Sequence, residues 1–254
     1  MTLSKRLVVC LDVRGERVVK GTHFVSLRDV GDPVALAERY EREGADEIVL
    51  LDIAATAEAR ATMLSLARRA AERLFIPLTI GGGIRTVEDV DAALRAGADK
   101  VSVNSAALRR PELLTEAARR FGSQCVVASI DAKMVAADRW EVHVNGGRVA
   151  TGIDAIEWAR EAVERGAGEI LLTSIDRDGA RNGYDLALTQ AVADTVSVPV
   201  VASGGAGSAS DVAAVLHAGA DAALVAGILH DGVTTVGAIK NRMLSEGLSV
   251  RSVA

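Results

Sequence analysis

Eight short apolar runs recur along the chain, and after each one the apolar residues change their spacing from nearly every position to every third or fourth. Leu7-Val8-Val9-Cys10-Leu11-Asp12-Val13 is the first, and its unbroken apolar character predicts a parallel strand covered on both faces. Residues 33–43 follow with Val34, Leu36, Ala37 and Tyr40 on one side and charge on the other. That spacing predicts a helix started by Asp32 and Pro33 and stopped by Gly44. The alternation predicts further strands at 47–53, 78–84, 100–103, 124–131, 169–174, up to Ser203, and 222–227, with helices near 57–74, after Thr86, and at 111–121, 153–165 and 234–246. Two segments stand out from it. Residues 14–32 form a polar stretch longer than an ordinary strand-to-helix connection, expected to be a functional or mobile loop. Residues 140–150 alternate apolar and polar around Asn145-Gly146, which predicts a β-hairpin.

The pattern is written twice. Pro77 precedes Leu78-Thr79-Ile80-Gly81-Gly82-Gly83, Pro199 precedes Val200-Val201-Ala202-Ser203-Gly204-Gly205, and the offset, 199 − 77 = 122, also relates Gly97-Ala98-Asp99 to Gly219-Ala220-Asp221. A unit of half the chain cannot cover both faces of its own sheet, so two must close on each other. With eight strand-helix units in 254 residues, the expectation is an α/β fold: a single (β/α)8 barrel over 1–254, with half-barrels at about 1–122 and 123–254.

Composition narrows the picture. Aromatic residues are 3% and hydrophobic residues 49%, so the core must be aliphatic. A net charge of −5 gives no basic footprint for nucleic acid. No apolar run approaches the ~20 residues of a membrane span and no leader pattern opens the chain, which makes a cytoplasmic protein the expectation. Cys10 and Cys125 lie in strand-like runs and read as buried reduced thiols. The histidines have no ligand spacing, so no metal and no cofactor is expected; His143 in the hairpin and His217 in a helix read as surface residues.

In such a barrel the chemistry sits at the C-terminal strand ends. Asp12 ends the first strand and Asp131 the fifth, so they face each other across the mouth, and two carboxylates in different environments can divide acid and base work. The plainer alternative is a pair of structural acids bonded to loop amides. The glycine-rich ends at Gly83 and Gly205 aim backbone N–H groups at an anion, and because both halves do this the ligand is expected to carry two phosphates. Asn104 and Ser105 after the fourth strand can hold an edge of one phosphate, or simply begin a helix; Lys20 is a candidate contact to an anionic substrate. At the opposite end Arg6, Glu47, Lys100 and Glu169 begin strands one, two, four and six, where alternating charges can form a lid over the barrel axis.

Taken over the whole chain, Cys10-Leu11-Asp12-Val13, Val18-Val19-Lys20-Gly21-Thr22, Gly81-Gly82-Gly83-Ile84, Ile130-Asp131-Ala132-Lys133, residues 171–179 and Ala202-Ser203-Gly204-Gly205-Ala206-Gly207 resemble the cyclase-subunit family of imidazole glycerol phosphate synthase, from histidine biosynthesis. The resemblance implies an enzyme that takes ammonia from a glutaminase subunit docked at the N-terminal face as a heterodimer. It would convert a bis-phosphorylated ribulosyl aminoimidazole-carboxamide ribonucleotide to imidazole glycerol phosphate and the free carboxamide ribonucleotide.

The resemblance further implies Asp12 and Asp131 as the acid/base pair, and Lys20 as part of a mobile loop. One phosphate would be held by Gly83, Asn104 and Ser105 and the other by Asp178, Gly179, Ser203 and Gly205, with Arg6, Glu47, Lys100 and Glu169 as the ammonia gate. Ser105 stands where threonine is usual, and Gly227 where a serine is often found, leaving that phosphate to the Ala226 and Gly227 backbone. The sister isomerase of the same pathway, which opens the precursor's sugar ring without ammonia, and a non-catalytic bis-phosphate barrel that activates a glutaminase are the competing readings.

Overall fold

The computed structural model describes residues 4–22, 25–54 and 57–251. Strand β1 (Arg6–Arg14) runs on into an antiparallel ribbon with β2 (Arg17–Thr22) and β3 (Val25–Gly31), and α1 (Pro33–Arg42) returns along the outside. Then come β4 (Glu47–Asp52), α2 (Ala57–Ala71), β5 (Leu78–Gly81), α3 (Val87–Arg95), β6 (Lys100–Val103), α4 (Ser105–Arg109) and α5 (Glu112–Phe121). After a 3-10 turn at Ser123–Cys125, β7 (Val126–Ala136) forms a second ribbon with β8 (Arg139–Val144) and β9 (Val149–Asp154). The chain continues through α6 (Ala155–Glu164), β10 (Glu169–Ser174), α7 (Leu186–Ala193), β11 (Val200–Ser203) and α8 (Ala209–His217). It closes with β12 (Ala222–Val225), α9 (Gly227–His230) and α10 (Val236–Ser245).

Eight of these strands pair in parallel in the order β1-β4-β5-β6-β7-β10-β11-β12, and β12 pairs back onto β1. The sheet is therefore closed with helices outside it, the (β/α)8 barrel expected from the alternation. Closure follows from sequence parity. On β1, Leu7, Val9 and Leu11 pack outward into the layer beneath the helices, while Val8 and Cys10 pack inward with Val49, Val127, Leu171, Val201 and Leu224. Side chains alternate along a strand, so the inward parity that begins at Arg6 passes through an aliphatic plug and emerges at Asp12. One strand thus connects the two ends of the barrel axis.

Positions 122 residues apart make the same local contacts. A Cβ at Gly82 would lie 2.1 Å from the Asp52 carbonyl oxygen and one at Gly204 2.7 Å from that of Ser174, with φ of 88° at both glycines. No other residue fits there without moving a strand end. Asp89 accepts from Arg85 N at 2.8 Å and Asp211 from Gly207 N at 3.0 Å, so the loop turns into its helix the same way in both halves. Thr86 and Asp89 complete a capping box on α3.

The structure revises several expectations. Within the 14–32 segment, expected as a long loop, residues 17–22 and 25–31 are strands of a ribbon that turns back from β1 at Gly15 (φ 63°); the alternation is broken by bulges near Val18 and Lys20, which hid the strands. Cys125 ends the 3-10 turn rather than lying in a strand, and it is partly exposed with its thiol on the Phe121 carbonyl. His143 is buried rather than on the surface, because β8 folds back over β7 and pairs it with Asp131.

Candidate active site

Asp12 and Asp131 stand at the C-terminal mouth on the first and fifth strands of the closed sheet. Burial, joined by the charge of Asp178, raises both carboxyls from 3.8 to about 6, against the bonds from Cys10 and Asn104, which lower them. Their polar partners differ. The Cys10 thiol donates weakly to Asp12 at 3.7 Å, whereas Asp131 accepts from the Asn104 side-chain amide at 3.1 Å and has His143 as its cross-strand neighbour. Two carboxyls poised near neutrality, one in a thiol-lined wall and one in an amide and imidazole setting, can exchange protons in opposite directions.

The remaining candidates cluster at the same face. Gly83 (φ 70°) follows β5 and its carbonyl is held by Arg60, which also pairs with Asp89. Asn104 and Ser105 open α4, where the Ser105 hydroxyl meets Asn104 Oδ1 at 3.3 Å and accepts from the Asn145 amide of the hairpin turn at 3.2 Å. Asp178 and Gly179 sit in the turn after β10, with Asp178 N on the Ser174 carbonyl at 3.0 Å. Ser203 ends β11, Gly205 follows it against the Gly183 carbonyl, and Ala226-Gly227 starts α9.

Lys20 reaches across this face from β2. Its amine donates to the Gly227 carbonyl at 3.2 Å and pairs with Asp231; burial, then Arg181 and Arg28, lower its pKa to about 8. Below Asp12, burial lowers His230 to about 4, outweighing its bond to Cys10. Because Nε2 lies 3.1 Å from the Cys10 carbonyl, that nitrogen carries the proton, and Nδ1 accepts from the Tyr40 hydroxyl at 2.8 Å. This neutral imidazole fixes α9 to β1.

At the N-terminal end the four predicted charges form a closed ring. Arg6 pairs with Glu47 at 2.8 Å and with Glu169, and Lys100 pairs with Glu47 at 2.8 Å and Glu169 at 2.6 Å. Burial works against the Arg6 charge, but Glu169 and then Glu47 overcome it and raise its pKa. Thr79 adds a hydroxyl to Glu47 at 2.6 Å, so both acids, 3% and 5% exposed, are satisfied.

Three participants escaped the sequence reading. His143 was masked by its place in an exposed-looking hairpin, and Arg181 and Asp231 lie 50 residues apart, with no local signal for the ion pair they make. Among the described residues no group of three or more His, Cys, Asp or Glu is arranged to hold a metal, and no helix is long and apolar enough to cross a membrane.

A family model described as histidine biosynthesis protein matches residues 6–235. The chain is 69% identical over 252 residues to the imidazole glycerol phosphate synthase subunit HisF of Myxococcus xanthus, covering 99% of both chains. It is 58% identical over 254 residues to the subunit of the same name from a Synechococcus species, covering 98% of this chain and 99% of that one.

Proposed function

Since the chain belongs to the histidine biosynthesis protein family, in its branch of HisF cyclase subunits of imidazole glycerol phosphate synthase, we propose that it is an ammonia-using cyclase acting in the cytoplasm on a substrate with two phosphates. The observation that carries this reading is the β1 parity: a closed ring of charges at Arg6 and a proton-exchanging carboxyl at Asp12, joined through an apolar interior. A neutral small molecule such as ammonia can cross an aliphatic interior that excludes ions. Nothing in the isomerase reading needs such a ring.

In the proposed reaction ammonia enters past Arg6, Glu47, Lys100 and Glu169 from a glutaminase docked on the N-terminal face. It adds to the carbonyl of the ribulosyl arm. Asp12 and Asp131 act on opposite sides of the reacting centre: one delivers a proton to the departing oxygen or nitrogen, the other accepts the proton lost as the imidazole ring closes. Gly83, Asn104 and Ser105 bind one phosphate; Asp178, Gly179, Ser203, Gly205 and the Ala226-Gly227 backbone bind the other, with Lys20 beside Gly227. Asn104 has a second task, because its amide stabilises the Asp131 carboxylate.

Product analysis tests the proposal. The isolated chain given the bis-phosphate and ammonium salt should release imidazole glycerol phosphate and the carboxamide ribonucleotide in equal amounts. No turnover of it, with ring opening of the separately supplied ring-closed precursor, would identify the sister isomerase.

A further inference from the structure

Three cations converge on one carboxylate at the barrel mouth. Asp231, in the turn after α9, pairs through one oxygen with Lys20 of β2 and Arg181 of the loop after β10, and through the other with Arg28 of β3. Lys20 and Arg181 also share the Gly227 carbonyl, at 3.2 and 3.5 Å. The β2–β3 ribbon, the Arg181 loop and the turn after α9 are thereby tied together by a single negative charge.

The arrangement is poorly matched in charge and strained in backbone. Three positive groups against one carboxylate leave a surplus of two, and their mutual repulsion persists whatever Asp231 does. Arg181 has a φ of +54°, a conformation seldom taken by a side chain of that size. It is accommodated because position 207 is glycine: a Cβ there would lie 2.2 Å from the Arg181 carbonyl oxygen. Strain held at a charged group beside a mouth points to a ligand rather than to packing. Position 227 contributes in the same way, since a Cβ on Gly227 would fall 2.6 Å from the Lys20 amine.

We propose that Lys20, Arg28 and Arg181 form an anion site occupied by the chain's own Asp231 carboxylate, and that a phosphate monoester dianion displaces it, the same substrate phosphate that the reading above places at Ala226-Gly227. A dianion matches the surplus of two and offers three oxygens to three donors, where the carboxylate offers two. Asp231 then acts as a latch: it holds the β2–β3 ribbon and the Arg181 loop together until the phosphate takes its place. The identity of the phosphate as the substrate's rests on the function proposed above; the exchange of anions does not.

The test is titration of the full chain with inorganic phosphate, followed by calorimetry or phosphorus NMR, for wild type, D231N, R181Q and D231N/R181Q. Removing the internal competitor in D231N should tighten phosphate binding on the order of tenfold. R181Q should weaken binding several-fold, and in the double variant the gain should vanish. Unchanged or weaker binding by D231N, or a gain that survives R181Q, overturns the site. Arg181 is a surface side chain, so R181Q alone decides the matter if D231N does not fold: unaltered affinity there overturns the site as well. Turnover of the bis-phosphate is scored separately. Turnover without the phosphate response overturns the latch alone, and the response without turnover upholds the latch while removing the cyclase reading.

Discussion

Asn104 donates its side-chain amide to the Asp131 carboxylate at 3.1 Å, from the strand next to it in the barrel. That bond lowers a carboxyl pKa which burial and the charge of Asp178 hold near 6. Its loss and the loss of Asp178 should therefore act in opposite directions. In the pH profile of kcat/KM, the acid limb near pH 6 should move to higher pH in Asn104→Ala and to lower pH in Asp178→Asn. Parallel shifts would mean that neither aspartate governs the limb.

Asp12→Asn should stabilise the fold while abolishing turnover. The Asp12 carboxyl goes from 3.8 when exposed to about 6 in the fold, so the folded state holds its proton more tightly and loses stability as pH rises between those values. Above pH 6 the cost is fully present, about 2 kcal/mol after allowance for water at the mouth. Thermal unfolding should show D12N raising Tm at pH 8 and matching wild type below pH 4. Equal Tm at pH 8 would mean that the carboxylate is better solvated than its surroundings indicate.

Breaking the ring should affect stability before chemistry. In Lys100→Met, Glu47 and Glu169 are left to share Arg6 in a buried setting, at a cost of about 3 kcal/mol. Denaturant melts should show that loss, while turnover supported by ammonium salt stays within a few fold and glutamine-dependent turnover with the partner changes.

Phe75 is 94% exposed in the connection from α2 to β5, at the same end of the barrel as the ring. A bare aromatic side chain beside the charge ring suits the partner subunit proposed above. Phe75→Ala should weaken glutaminase binding by about 1–3 kcal/mol, or roughly ten- to a hundredfold in Kd, and leave ammonium-supported turnover intact. Titration of labelled partner measures it.

The barrel and both ends of its axis were legible because they rest on local signals: apolar runs, the Thr86-Asp89 cap, the 122-residue echo, and charges at the first residue of four strands. The placement of Asp12 and Asp131 at the mouth was legible because a carboxylate ending an apolar strand is costly without a partner. The ribbon over 17–31 was not, since its pairing depends on bulges and on contact with β1 rather than on its own alternation. His143 was misread because its burial comes from the return of β8 onto β7, a tertiary event. The Asp231 cluster lay beyond reach for the same reason: its members gather from the β2–β3 ribbon and two loops that only closure of the barrel brings together.

The central claim is tested most directly by the rate of bis-phosphate consumption by the isolated chain as ammonium concentration and pH are varied without any partner. The account predicts a rate proportional to un-ionised ammonia, rising with pH as ammonium loses its proton, and no rate with glutamine alone. Consumption that proceeds equally well without ammonia would contradict it.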